Sequence, residues 1–147
     1  MEQIPEHVKR MPMSGTFELT GRCNLNCEMC YVHVDQQRIQ KLGYRERTAD
    51  EWISMAQQIF DAGTFRLLLT GGEPMLRPDF CQIYEAIGKM GFYTTLYTNG
   101  TLVTPKIMDT LRKYPPHTLG ITIYGVSPDT YKKVCGNPDG YHMMMSG

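Results

Sequence analysis

Three cysteines fall close together at Cys23, Cys27 and Cys30, inside the run TGRCNLNCEMCY that spans Thr20 to Tyr31. Three thiolates on one short loop can hold three irons of a four-iron cubane and leave the fourth iron without a protein ligand. A cluster built only for electron transfer usually has four cysteines. An open iron can instead take a small molecule, as the open position does in any catalytic metal site. The competing reading is structural zinc, which needs four ligands, the fourth coming from His33, Cys81 or Cys135. Cys81 and Cys135 fall on expected helices, where buried free cysteines act as small hydrophobes. His33 reads as solvated, and His7, His117 and His142 have no visible partner.

A second candidate follows in Gly71, Gly72, Glu73 and Pro74, after the apolar run RLLLT from Arg66 to Thr70. Two glycines let a backbone approach a ligand without a Cβ clash, and Glu73 with the loop's polar groups suits an ammonium. Taken alone, this is an ordinary Gly-Gly turn with a solvated glutamate. Its position one strand after the cysteine triad makes the pair more specific than either half. Thr98-Asn99-Gly100 is a third candidate and also a plain turn signal. Thr122, in ITIYG, is the fourth.

These loops need elements to carry them. Short runs rich in Leu, Ile, Thr or aromatics predict strands at Thr16–Thr20, Arg66–Thr70, Phe92–Thr98 and Leu119–Tyr124. Thr48 and Glu51 form a capping box, behind which Trp52, Met55, Ala56, Ile59 and Phe60 share one helical face up to Gly63. Asp79 starts a second helix, with Phe80, Ile83, Tyr84, Ile87 and Met90 as its stripe and Gly91 as its stop. Thr104-Pro105 and Ser127-Pro128 open two more, since proline suits the first helical position. Ile107, Met108 and Leu111 fill the first of these, and Tyr131 and Val134 the second. Strand and helix in alternation predict an α/β fold with a parallel sheet, about four βα units winding toward a barrel or open sheet. The strand ends then carry the candidate loops, at the edge where α/β folds place their ligands.

The composition fits a globular chain: 41% hydrophobic and 20% charged residues, with fifteen Lys and Arg against fifteen Asp and Glu. Zero net charge and no basic stripe give no support for a nucleic-acid or membrane-surface partner. The polar start, broken by Pro5 and Pro12, lacks a signal-peptide core, and no apolar run is long enough to span a membrane. The default location is therefore the cytoplasm, which the odd, clustered cysteine count also suits. Residues 1–14 read as an N-terminal extension and 15–147 as the core domain. After the GNPDG turn of Gly136 to Gly140, the residues Tyr141, Met144 and Met145 look like the start of another buried helix face. The chain stops there, and four parallel units leave an exposed sheet edge, so the expectation is a fragment incomplete at its C-terminus.

The run CNLNCEMCY, with its three spaced cysteines and following aromatic, closely resembles the radical S-adenosylmethionine signature, and Gly71 to Pro74 resembles that family's GGEP motif. The resemblance covers Gly15 through Asn137 and is greatest to members that carry a C-terminal SPASM extension with auxiliary clusters. It implies a partial radical S-adenosylmethionine barrel, similar to a TIM barrel, with four βα units of six. It also implies a 4Fe–4S cluster held by Cys23, Cys27 and Cys30, with S-adenosylmethionine as cofactor. Tyr31 would lie against the adenine, and the segment Gly71, Gly72, Glu73 and Pro74 would meet the methionyl amino group. Asn99 sits in a TNG that recurs in the family, and Thr122 stands where many relatives have a cofactor-contacting Ser. The implied activity is reductive cleavage to a 5′-deoxyadenosyl radical that abstracts hydrogen, in peptide modification or cofactor synthesis. The implied partners are an external electron donor of flavodoxin or ferredoxin type and, as substrate, a peptide. The alternatives are a non-catalytic zinc or iron–sulfur domain and a truncated, inactive product that binds its cofactor weakly.

Overall fold

A computed structural model describes residues 11–31, 41, 43 and 45–147. His7, His33, most of the stretch 36–47 and residues 1–10 of the N-terminal extension lie outside the described residues. Four strands form one sheet in the order β1 (Ser14–Glu18), β2 (Arg66–Thr70), β3 (Tyr93–Thr98) and β4 (Thr118–Ile121). Every pairing is parallel. β1 begins inside the stretch read as an extension and ends two residues before the expected Thr20, although Leu19 N–H still donates to Thr70 O at 2.9 Å. β4 ends at Ile121, short of the expected Tyr124. The cause is its one neighbour among the described residues: β3 stops at Thr98, and Thr122 N–H on Thr98 O, 3.1 Å, is the last bond it can offer.

The helices are α1 (Ala49–Asp61), α2 (Phe80–Met90), α3 (Pro105–Lys113), α4 (Pro128–Cys135) and α5 (Gly140–Ser146). α1 has the reciprocal capping box of Thr48 and Glu51. Trp52 and Ala56 are buried and Met55 and Ile59 partly so, whereas Phe60 is exposed and meets Phe92 edge-on. α2 buries Phe80, Ile83, Tyr84 and Ile87, and ends on Gly91 at φ 87°, in the left-handed region. Its Asp79 makes no cap bond, because Arg77 takes the carboxylate with two hydrogen bonds of 2.9 and 2.7 Å. Thr104 and Ser127 each cap the helix that a proline opens.

Side chains from β1, β2 and β3 pack with α1, α2 and α3 into the main core, around Phe17, Leu19, Leu67, Leu69 and Leu96. A second, smaller cluster joins Leu25 and Cys27 to Tyr131 and Cys135 of α4, with Tyr141 and Met144 of α5 against it. Met145, expected in a buried face, is exposed, since a single short helix can present only one side to that cluster. Beyond β3, the side chains of Leu119, Ile121, Ile123 and Val126 are exposed. No helix among the described residues is long and apolar enough to cross a membrane.

Candidate functional site

Parallel pairing sends the carboxyl ends of β1 to β4 to one edge of the sheet, so the four candidate loops meet there. Between them lies a cavity of about 270 Å3 whose wall includes Cys27, Cys30, Tyr31, Gly71, Gly72, Asn99 and Thr122. Thr98, from the same run as Asn99, completes the wall with Thr70, Tyr97, Met29 and Tyr124, and these last four are not among the candidates read from sequence. Their signal lay in topology: each is a neighbour of a motif residue at a strand's end. Cys23, Glu73 and Pro74 sit outside the cavity wall.

The two glycines have a local reason. Gly72 N–H donates to Thr20 O at 2.8 Å, and Glu73 N–H to Arg22 O at 2.9 Å, so the Gly-Gly loop runs backbone to backbone along the root of the cysteine loop. A Cβ on Gly71 would come 2.4 Å from Thr20 O, and one on Gly72 would come 2.3 Å from Arg22 O. Gly71 also has φ 136°, which side chains disfavour. The close approach that demands glycine is thus to the cysteine loop itself.

Glu73 turns away from solvent and is fully buried. Its Oε1 accepts from Met75 N–H at 3.0 Å and from the Thr98 hydroxyl at 2.8 Å, and its Oε2 from Asn99 N–H at 2.7 Å. Burial pushes the carboxyl above its ordinary value, and these three hydrogen bonds only partly oppose that. The side chain ties the loop after β2 to the loop after β3. Pro74 opens a single 3-10 turn and is buried behind it.

Asn99 joins the same brace to the cysteines. Its Nδ2 donates to Asn24 Oδ1 at 2.9 Å and to Cys23 Sγ at 3.6 Å. Its Oδ1 accepts from Thr101 N–H at 2.9 Å and from the Thr101 hydroxyl at 2.6 Å. Asn24 Nδ2 closes the ring onto Thr101 Oγ1 at 2.7 Å. Cys23 Sγ also accepts from Leu25 N–H at 3.4 Å. Burial raises the Cys23 thiol, against the pull of those two donors.

Two further anchors hold the cysteine loop. Asn26 N–H donates to Cys135 O at 3.0 Å and Glu28 N–H to Val134 O at 3.1 Å, docking the loop on the end of α4. There Cys27 and Cys135 are buried in one cluster, with Tyr124 packed against it. Burial, then the Cys27 contact, pushes Cys135 up to about 12. At the loop's root, Glu46 accepts from Thr20 and takes Arg22 in a two-pronged pair at 2.9 Å, while buried Arg77 lies 3.7 Å away. Burial pushes Glu46 up, but the Arg22 and Thr20 hydrogen bonds outweigh it and hold the carboxyl below its ordinary range. Cys81 belongs to the main core, away from the triad.

The donor set suits an iron–sulfur cluster. It is three thiols on one loop, two of them on a cavity wall and the third receiving two N–H donors, bordered by the apolar side chains of the second cluster. Among the described residues, no three of His, Cys, Asp or Glu are drawn together as they would be around a single ion. A cubane needs less convergence, because each thiolate binds a different iron.

The chain is 32% identical over 135 residues to PqqA peptide cyclase of Rhizobium meliloti, covering 92% of this chain and 35% of that protein. It is 34% identical over 136 residues to AdoMet-dependent heme synthase of Methanosarcina barkeri, covering 92% of this chain and 38% of the other. It therefore spans little more than a third of the length of these relatives. Among solved structures, Streptococcus suis SuiB superposes with a TM-score of 0.72 at 21% identity, over 88% of this chain and 28% of SuiB. That likeness shows the shared fold, a partial barrel of the TIM type. The profile of the Radical SAM superfamily matches residues 17–146, and the chain belongs to that superfamily.

Proposed function

We propose that Cys23, Cys27 and Cys30 hold a 4Fe–4S cluster, and that the cavity beside them takes S-adenosylmethionine. When bound, the cluster supplies the electron that cleaves S-adenosylmethionine reductively to a 5′-deoxyadenosyl radical, which takes hydrogen from substrate. The observation that carries this reading is the shared cavity, whose wall joins Cys27 and Cys30 to Tyr31, Gly71, Gly72, Asn99 and Thr122. Tyr31 is 89% exposed and offers a free ring face for the adenine. Gly71 and Gly72 bring bare backbone to the wall and suit the methionyl end. Thr122 adds a hydroxyl-bearing side chain at the end of β4. Glu73 contributes by holding this backbone in place, since its two carboxylate oxygens are already taken by Met75, Thr98 and Asn99. Pro74 fixes the exit of the loop.

Residues 15–147 would be the catalytic core domain, an enzyme of the cytoplasm fed by a flavodoxin- or ferredoxin-type donor. A peptide substrate is the favoured class. The name PqqA peptide cyclase supports it, as does a SuiB structure with bound precursor peptide SuiA, TM-score 0.73. Cofactor synthesis, in the manner of a heme synthase, is a second class, drawn from the name of another relative. The rival reading, a four-thiolate zinc site, draws on the placement of Cys135 beside Cys27.

The test is anaerobic reconstitution with iron and sulfide. The expected result is a charge-transfer absorbance and a reduced-state EPR signal that S-adenosylmethionine alters, with 5′-deoxyadenosine formed on reduction. Cys27→Ala loses both signals while keeping its circular dichroism. Tight uptake of zinc without sulfide would overturn the proposal.

A further inference from the structure

We infer that Asn99 is a positioning residue for the cluster's electronic state, acting through a hydrogen bond to the sulfur of Cys23. The inference rests on the proposed cluster ligands and goes beyond them. The amide orientation is settled by the network. Its Oδ1 accepts two donors from Thr101, the N–H at 2.9 Å and the hydroxyl at 2.6 Å. A flipped amide would set its NH2 against the Thr101 N–H, so the NH2 must face the other way. There it meets Asn24 Oδ1 at 2.9 Å and Cys23 Sγ at 3.6 Å. Both donors and both acceptor sites of this buried side chain are thereby in use. The backbone is fixed as well, through Asn99 N–H on Glu73 Oε2 at 2.7 Å. A donor held this tightly cannot swing away when the cysteine loop binds metal.

Hydrogen bonds to the sulfurs help set the potential of an iron–sulfur cluster. An N–H on a ligand sulfur withdraws electron density and favours the reduced, more negative cluster. Asn99 and the Leu25 N–H both serve Cys23 in this way, whereas only the Asn99 donor can be removed by a side-chain change. Asn99 thus connects the loop after β3 to the ease of cluster reduction.

The experiment uses the whole chain, reconstituted anaerobically, with cluster content measured first and midpoint potential second. Asn99→Leu keeps roughly the side chain's volume and removes the donor. The expected result is a full cluster whose potential falls by about 59 mV, a tenfold loss in the one-electron reduction equilibrium. In wild type, terminal Fe–S stretches in the resonance Raman spectrum shift on H/D exchange; in the variant that shift shrinks. A loaded Asn99→Leu cluster with unchanged potential and unchanged deuterium shift overturns the inference alone. Should Asn99→Leu fail to fold, Thr101→Val decides the matter by removing the hydroxyl that orients the amide. It is expected to move the potential the same way by a smaller amount, and a loaded cluster with wild-type potential overturns the inference. Wild type that assembles no cubane overturns the proposed function and this inference together.

Discussion

Substitution of Glu73 by Gln separates the charge of this buried side chain from its hydrogen bonding. Three donors face the carboxylate: Met75 N–H, Asn99 N–H and the Thr98 hydroxyl. The hydroxyl can turn toward Met75 Sδ, 3.7 Å away, but the two backbone N–H groups cannot turn. A glutamine has one acceptor oxygen, and its NH2 must confront one of those N–H groups. An unpaired buried donor costs about 1–3 kcal/mol. Against this stands the charge. Burial raises the folded-state pKa of Glu73 above its ordinary 4.5, so the folded chain holds this proton more tightly than the unfolded chain. The resulting stability is fully present below pH 4.5 and is lost as pH rises through the folded pKa. Glutamine does not titrate and has no such loss. Glu73→Gln should therefore be less stable than wild type by about 2 kcal/mol near pH 4.5, roughly 4–8 °C in Tm for a chain of this size. The deficit should shrink as pH rises. Urea unfolding followed by the fluorescence of Trp52, the one tryptophan, measures it across pH 4 to 8 under reducing conditions. Taking the difference between the two proteins cancels the opposite pH dependence of Glu46, whose pKa is lowered. A deficit that stays constant or widens with pH, or a variant as stable as wild type at pH 4.5, would refute the reasoning.

Gly72→Ala should cost about 1–3 kcal/mol, because its Cβ would lie 2.3 Å from Arg22 O and force the cysteine loop aside. Iron and sulfide content after reconstitution should fall with it, while a change confined to stability would argue against the backbone contact as the loop's support. Tyr31→Ala should leave the urea midpoint within about 0.5 kcal/mol, since the side chain is exposed. Calorimetric titration should show S-adenosylmethionine bound about tenfold more weakly, the scale of one lost aromatic stack on a base. Tyr131→Ala should cost about 3 kcal/mol, as it empties the centre of the second cluster, where Tyr131 stacks edge-on with Tyr124 and Tyr141. Cluster uptake should drop too, because the cysteine loop docks on that helix; uptake at the wild-type level would show the dock to be dispensable.

The elements that sequence periodicity reveals are those whose burial is set within one helix or strand. The capping box of Thr48 and Glu51, the stripe of α2 and the run RLLLT are local facts and stand where expected. β4 is different, for its length depends on how far β3 extends beside it, and no pattern in LGITIY records that. The candidate site divides along the same line. The residues that face the cavity, Cys27, Cys30, Gly71 and Gly72 among them, are legible because spacing and residue type report their chemistry directly. The braces are not. Asn24 to Thr101, Asn99 to Cys23 and Asn26 to Cys135 join positions that lie far apart in the chain and have ordinary polar or small side chains. Glu73 shows what that costs a reading from sequence. An acidic residue beside two glycines suggests a partner for an ammonium, yet three internal donors face it: Met75 N–H comes from its own turn, and the parallel register of β2 and β3 brings the Thr98 hydroxyl and Asn99 N–H within reach. Under the proposed function, this motif residue serves the cofactor site by holding its backbone in shape, without facing the cavity itself.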